Sequence, residues 1–199
     1  MKRLLLYVHF NKYDHISRHV FYQLEHMRPL FDKLVFISNS RLSESEVQKL
    51  HDKHLIDDFI QRENKGYDFA AWHDGMEFVG FENLKQYDSV TVMNDTCFGP
   101  LWDMAPIYDN YESNPNIDFW GMTNHQGIKA GDIYIHEHLQ SYFISFKKRL
   151  VESSVFQKFW KSVESSKMFK RSSIIMKLFI PRNLGMLDLT MNLFSIRFH

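Results

Sequence analysis

Continuous apolar runs alternate along the chain with segments in which apolar residues recur every three or four positions. The runs predict strands that are buried on both faces, and the periodic segments predict amphipathic helices. The predicted strands are residues 4–10, 33–38, 58–61, 89–93 and 118–121, and the predicted helices are 16–27, 43–54, 69–79 and 104–111. Strands that alternate with helices predict an α/β fold, Rossmann-like, with a mostly parallel sheet and helices on both faces.

The second predicted helix begins with a capping-box sequence. Ser43 is expected to accept a hydrogen bond from the first turn, and Glu46 is expected to reach back to the residue that caps the helix. This pattern places the start of the helix at residue 43.

Two polar segments follow predicted strands, and ligands of such sheets bind beyond the carboxyl ends of the strands. Residues 62–68 (RENKGYD) lie between a strand and a helix, where Gly66 lets the backbone approach a ligand and helix amides attract anions. Asn94 and Asp95 follow the fourth strand and offer oxygen ligands of the kind that Mg²⁺ or Mn²⁺ prefers. An ordinary turn, with Asp68 or Asp95 as a capping residue, also explains these segments.

The sign of charge decides how Asp95 could act on a diphosphate. Two unit charges about 4 Å apart interact by roughly 4 kcal/mol at an effective dielectric constant near 20. A bare carboxylate would therefore repel a diphosphate, whereas a divalent cation between the two groups makes the interaction attractive.

Composition narrows the class of protein. The 24 basic and 24 acidic residues give no net charge, which disfavours a nucleic-acid binder that works by charge alone. Cys97 is the only cysteine, which excludes an internal disulfide and suits a reducing compartment such as the cytoplasm. The first apolar run is too short for an export signal, and no window is long enough to span a membrane, so membrane contact is expected to be peripheral.

Histidines and the last segment offer further candidates. His15 and His19 are four residues apart on a predicted helix, but no further ligands at zinc spacing accompany them. Residues 167–199 contain six basic residues and one acidic residue, so they carry +5 and the remainder carries −5. This segment is predicted to be an atypical basic tail, either loosely packed or attracted to anionic lipid.

Five segments of the chain closely resemble the rhamnan synthesis protein F (RgpF) family, in the same order. They are residues 2–12 (KRLLLYVHFNK), 33–40 (KLVFISNS), 66–72 (GYDFAAW), 87–102 (YDSVTVMNDTCFGPLW) and 140–146 (QSYFISF). The resemblance covers about residues 1–166, which it implies form a GT-A-like glycosyltransferase domain, the N-terminal part of a longer protein.

The resemblance implies a cytoplasmic rhamnosyltransferase of cell-wall polysaccharide synthesis that uses dTDP-L-rhamnose and a lipid-linked saccharide acceptor. A transferase that inverts the anomeric carbon needs a base near the acceptor hydroxyl and a group that stabilises the departing dTDP. The matching positions imply these roles: donor binding at Asn64, Gly66, Tyr67, Asp68 and Asn94; a divalent cation, Mg²⁺ or Mn²⁺, at Asp95; acceptor contact at Gln140 and Tyr142; and Glu137 or Asp118 as the base.

The resemblance stops near residue 166, and one hypothesis for residues 167–199 is a reading-frame slip. Suitable codons for residues 186–192, read in another frame, encode the family-like sequence Asn-Ala-Gly-Phe-Asp-Tyr-Glu. The chain would then be a truncated and impaired transferase. The alternative function is a noncatalytic module that binds a sugar nucleotide or assembles a polysaccharide-synthesis complex.

Overall fold

The central strand of the sheet, β1 (Arg3–His9), is formed by a run of apolar residues with side chains buried on both faces. Parallel strands flank it: β2 (Lys33–Ser38) on one side and β4 (Ser89–Asn94) on the other, with β3 (Asp58–Gln61) beyond β2. A computed structural model describes this fold for residues 1–126, 128–130, 133–135 and 138–163. The predicted tail of residues 167–199 lies outside the described residues.

With β5 (Phe119–Gly121) and β10 (Phe143–Lys147), the sheet has six strands in the order β3-β2-β1-β4-β10-β5. Strand β10 inserts between β4 and β5 and is antiparallel to both. Two small antiparallel pairs lie outside this sheet, β6 (Asn124–His125) with β9 (His138–Leu139) and β7 (Ile128–Ala130) with β8 (Ile133–Ile135). The five predicted strands are present within a residue or two of their predicted bounds.

Helices cover both faces of the sheet, as the alternating pattern predicts. One face packs against α1 (Arg18–Met27), α2 (Glu44–Asp52) and α5 (Ala105–Ser113). The other face packs against α3 (Tyr67–Val79), α4 (Phe81–Leu84), α6 (Lys148–Val151) and α7 (Ser154–Lys161). A short 3₁₀ helix, Arg28–Leu30, follows α1. Within the described ranges, no helix combines the length and the apolar character needed to cross a membrane.

Side chains of β1 alternate between the two cores. Leu4 and Leu6 join the core beneath α3, together with the buried Trp72 of that helix, and Leu5 and Tyr7 join the core beneath α1. Each large side chain buried in this way contributes roughly 1.5–3 kcal/mol. The two cores hold the carboxyl ends of the central strands in a fixed register.

The capping box at α2 is only half formed, which corrects the prediction. Ser43 accepts a hydrogen bond from the amide of Glu46, with 3.3 Å between Oγ and N. The Glu46 carboxylate does not reach back and instead accepts from the amide of Ile16, at 2.7 Å, and pairs with Lys49. Glu46 therefore ties α2 to the segment that leads into α1.

Candidate active site

The carboxyl ends of β1, β2, β3 and β4 meet at one edge of the sheet because the four strands are parallel. His9, Ser38, Gln61 and Asn94 are the last residues of these strands. Polar side chains are thus concentrated where the sheet opens to the loops that follow each strand.

Asn94 joins this edge to the start of α3. Its Nδ2 donates a hydrogen bond to Asp68 Oδ2 at 2.7 Å, and its Oδ1 accepts from both the amide and the hydroxyl of Thr96. Asn94 is buried, so these bonds satisfy a side chain that would otherwise be costly to bury. The segment around Gly66 and the segment around Asp95 therefore lie together, as their positions after parallel strands predict.

The Asp95 carboxylate lies beside β1, and only 12% of its side chain is exposed. Oδ2 accepts a hydrogen bond from the amide of Phe10 at 3.1 Å and lies 4.0 Å from Nε2 of His9. The backbone oxygen of Asp95 is 3.1 Å from Nε2 of His19. The carboxylate is thus part of a compact polar cluster formed by β1, α1 and the loop after β4.

Two carboxyl groups share this cluster, and both are harder to ionise than usual. Burial raises the pKa of Asp95 to about 6, and the nearby charge of Asp68 adds to the rise. Burial also raises the pKa of Asp68, although the hydrogen bond from Asn94 opposes the change. Neither carboxylate pairs with a lysine or arginine among the described residues. The cluster has an excess of negative charge, which favours a cation.

The loop before α3 adopts an uncommon backbone conformation. Gly66 precedes the helix at φ +76°, and Tyr67, the first helical residue, has φ +49°. A residue with a side chain is strained at such angles, so glycine fits the first position. Tyr67 is exposed, and the backbone amides of the first turn of α3 attract anions.

Arg62 fixes the same loop, a role that sequence reasoning did not identify. Its guanidinium donates to Asp74 of α3 at 2.5 Å, to Asn39 Oδ1 at 2.6 Å and to the backbone oxygen of Lys65 at 2.9 Å. Burial opposes ionisation of Asp74, but hydrogen bonds from His73 and Arg62 lower its pKa overall. Although His73, Asp74 and Glu77 lie close enough to hold a metal ion, the Asp74 carboxylate is already neutralised by Arg62.

Asn64, at the tip of this loop, is exposed. It lines a shallow groove of about 770 Å³ with Arg41 and Arg62, beyond the ends of β2 and β3. Asn64 is therefore accessible to a ligand at the same edge of the sheet.

Tyr142 connects the acidic cluster to an apolar pocket of about 350 Å³. Its backbone carbonyl accepts a hydrogen bond from the backbone N–H of Asn94 at 3.1 Å, and burial raises the pKa of its phenol. The pocket is formed mainly by Met93, by the loop after β4 and by the segment before β6. Gln140 is half-buried nearby, and its backbone N–H donates a hydrogen bond to the backbone carbonyl of Thr123 at 2.9 Å.

The two residues predicted as the base, Asp118 and Glu137, differ in what the structure shows of them. Asp118 lies at the opposite edge of the sheet, because its carbonyl bonds the amide of Lys147, which pairs with Ser89 at the start of β4. Its fully buried carboxylate accepts from Nε of Arg149 at 2.6 Å. The prediction of Asp118 as the base is therefore wrong, since a paired carboxylate at that edge cannot reach the site. Glu137 lies outside the described residues.

A family model described as RgpF, rhamnan synthesis protein F, matches residues 34–177 of the chain. The chain belongs to the rhamnan synthesis protein F family. The match runs past residue 166 into the segment that the sequence predicts to be an atypical tail. Asn94 and Asp95, together with the loop that leads into α3, lie within the matched residues of this family member.

Two curated relatives are similar to this chain. An uncharacterized protein, y4gN, from Sinorhizobium fredii is 30% identical over 145 residues, which are 72% of this chain and 36% of that protein. The virulence protein VirA of Vibrio anguillarum is 30% identical over 128 residues, 64% of this chain and 36% of that protein. The chain thus spans little more than a third of the length of these relatives.

Two solved structures share its fold. HddC from Yersinia pseudotuberculosis has a TM-score of 0.51 at 9% identity, over 88% of this chain and 86% of that one. The mannosyltransferase PcManGT from Pyrobaculum calidifontis, in complex with GDP-Man and Mn²⁺, has a TM-score of 0.50 at 12% identity, over 75% of this chain and 45% of that one. The predicted GT-A-like fold class is confirmed.

Proposed function

We propose that this protein transfers L-rhamnose from dTDP-L-rhamnose to a lipid-linked glycan during synthesis of a cell-wall polysaccharide. Membership of the rhamnan synthesis protein F family and the GT-A-like fold support this proposal. The observation that carries it is the joining of Asp68, Asn94 and Asp95 at the carboxyl edge of the sheet, beside the first turn of α3.

Donor binding is assigned to the loop before α3 and to Asn94. The α3 amides and the backbone around Gly66 would face the diphosphate, while the exposed ring of Tyr67 and the amide of Asn64 would contact the rest of the nucleotide sugar. Asp68 holds Asn94 in place through its hydrogen bond. Arg62 keeps the loop in position but is bonded to Asp74, Asn39 and Lys65 rather than free to bind the donor.

The cluster fits a divalent cation because two partly buried carboxyl groups lie together without a basic partner among the described residues. Asp95 would hold the cation, with Asn94 beside it. When bound, Mg²⁺ or Mn²⁺ supplies positive charge that stabilises a departing diphosphate, worth roughly 4 kcal/mol for a unit charge pair about 4 Å apart at an effective dielectric constant near 20.

The acceptor is assigned to the side of the cluster where Tyr142 and Gln140 lie. Tyr142 lines the apolar pocket, and the adjacent loop exposes Phe98 and Leu101, with 81% and 73% of each residue accessible. Exposed apolar side chains beside a pocket suit a lipid-linked substrate at a membrane surface. We further propose that the protein acts in the cytoplasm, in peripheral contact with the inner face of the cell membrane, and that Glu137 is the base.

Turnover of dTDP-L-rhamnose tests the proposal. The chain should release dTDP from the donor in the presence of Mn²⁺ or Mg²⁺, and Asp95→Ala should lose this activity by about three orders of magnitude, which corresponds to roughly 4 kcal/mol. Asp109→Ala, a change at an exposed carboxylate on α5, is the matched control and should retain it. Cation-dependent dTDP-rhamnose binding without turnover would instead favour the noncatalytic sugar-nucleotide module.

A further inference from the structure

His9 is a buried residue whose ring points at the acidic cluster. It ends β1 directly beside the end of β4, where Val8 pairs with Asn94. The side chain is fully buried and stacks on Phe36, with ring centroids 5.4 Å apart. Its Nε2 has no hydrogen-bond partner among the described residues and lies 4.0 Å from Asp95 Oδ2. A buried nitrogen in this state is uncommon and calls for a ligand.

Contacts at Ser38 determine which ring nitrogen of His9 carries the proton. Ser38 Oγ lies 3.1 Å from the carbonyl oxygen of Ser40, 3.1 Å from the amide of Ser40 and 3.2 Å from His9 Nδ1. All three contacts are hydrogen bonds only if the hydroxyl donates to the carbonyl and Nδ1–H donates to the hydroxyl. Nε2 then carries a lone pair. In metal sites of other proteins, a ligating histidine likewise donates its second ring N–H to an oxygen, which fixes the tautomer and the orientation of the ring.

The Nε2 lone pair and the Asp95 carboxylate face each other with no donor between them among the described residues. Zn²⁺ binds imidazole nitrogen and carboxylate oxygen at about 2.1 Å each, so a transition-metal ion with similar bond lengths could join two such atoms up to about 4.2 Å apart. The observed 4.0 Å lies within that span.

We propose that His9 is a nitrogen ligand of the divalent cation held by Asp95, and that it makes the site prefer Mn²⁺ or another transition-metal ion over Mg²⁺. This inference rests on the proposed cation role of Asp95. Mg²⁺ takes oxygen ligands almost exclusively and gives up its water reluctantly, whereas transition-metal ions accept imidazole. A site with one buried imidazole and one carboxylate therefore discriminates between the two cations.

Pulsed electron paramagnetic resonance of the Mn²⁺-loaded protein tests the proposal without any need for turnover. The spectrum should contain a ¹⁴N coupling from a bound imidazole, which changes to a ¹⁵N pattern when the protein is made with ¹⁵N-histidine. The His9→Gln variant should lose this coupling. Its affinity for Mn²⁺ should fall by on the order of 10- to 100-fold, and its affinity for Mg²⁺ by much less.

His19→Gln is the matched control, because Nε2 of His19 contacts the backbone oxygen of Asp95 rather than its carboxylate. This variant should keep the nitrogen coupling. If His9→Gln does not fold, the labelled wild-type protein compared with His15→Gln and His19→Gln still identifies the ligand, since these two are the other histidines near His9. A coupling retained in both variants supports His9, and a coupling lost in either overturns its role.

The outcomes separate this inference from the proposed function. Mn²⁺ binding without nitrogen coupling would overturn the role of His9 and leave the cation role of Asp95 intact. Nitrogen coupling in a protein that does not bind dTDP-rhamnose would support His9 and contradict the donor assignment. Unchanged Mn²⁺ binding by Asp95→Asn would overturn both.

Discussion

Replacing Asp95 with asparagine should stabilise the cation-free protein at neutral pH, although it removes the proposed cation ligand. Burial raises the pKa of this carboxyl from its ordinary value of 3.8 to about 6. Because one pH unit of pKa change equals about 1.4 kcal/mol, ionised Asp95 costs the folded state about 3 kcal/mol. Asparagine carries no charge, and its amide oxygen can still accept the hydrogen bond from the amide of Phe10.

The pH dependence follows from the direction of this change. The folded state binds a proton at Asp95 more tightly than the unfolded chain does, so it holds more protons between pH 3.8 and about 6. The contribution of the neutral carboxyl to stability is fully present below pH 3.8 and is lost as pH rises through about 6. The advantage of Asp95→Asn should therefore be small near pH 4 and reach about 3 kcal/mol at pH 7.5.

Urea denaturation at pH 4 and pH 7.5, without divalent cations, measures this difference. Asp109→Asn is the control, because that side chain is 77% exposed and should change the free energy of unfolding by less than about 0.5 kcal/mol. Adding Mn²⁺ at pH 7.5 should stabilise the wild-type protein but not Asp95→Asn. A variant that is less stable than wild type at pH 7.5, or equally altered at both pH values, would refute the reasoning.

Three further predictions concern the loop before α3 and two positions that hold the sheet together. Arg3→Met should destabilise the protein by about 3–5 kcal/mol, measured by urea denaturation, because it removes the guanidinium that pairs with the buried Glu112 carboxylate at 2.6 Å and leaves that charge, among the described residues, only the hydroxyl of Ser89. Arg62→Lys should raise the KM for the donor about tenfold, roughly 1.4 kcal/mol, with kcat little changed, because the loop before α3 loses bonds. Gly121→Ala should cost about 2–3 kcal/mol in thermal unfolding, more than Gly75→Ala, because its added carbon meets a carbonyl oxygen of β10 at 2.9 Å.

Each of these predictions has a result that contradicts it. An Arg3→Met protein as stable as wild type would show that Glu112 is adequately solvated or otherwise paired. A fall in kcat with an unchanged KM for Arg62→Lys would place that residue in the chemical step. If Gly75→Ala were the more damaging change, then the side chain of Ile37, which the new carbon meets at 2.5 Å, would be less able to move than the backbone of β10.

Much of the fold follows from local sequence patterns. Strands β2 and β3 have their predicted bounds, Lys33–Ser38 and Asp58–Gln61, because polar segments delimit both apolar runs sharply. Helix α3 begins two residues before its predicted start because Gly66 allows a left-handed turn directly before it. The insertion of β10 between β4 and β5 depends on pairing between distant segments, which periodicity does not encode.

The site could be predicted only in part, because it too depends on contacts between distant segments of the chain. Asn94 ends one parallel strand and the segment around Gly66 follows another, so the sequence predicts that they lie close together. Ligands of such sheets bind beyond the carboxyl ends of the strands, and this rule excludes Asp118, which precedes its strand. His9 also ends a buried strand, and that position was a usable signal. The hydrogen bonds that orient its ring and those that anchor Arg62 depend on tertiary contacts and could not be read from spacing.

Calorimetric titration of the chain with dTDP, with and without Mn²⁺, tests most directly whether the acidic edge of the sheet binds a sugar nucleotide through a cation. Mn²⁺ should increase the affinity of the wild-type protein by up to about three orders of magnitude, following the roughly 4 kcal/mol of a charge pair at this distance and dielectric. Asp95→Ala should abolish that increase. Equal dTDP affinity with and without Mn²⁺, or an undiminished increase in Asp95→Ala, would contradict the account.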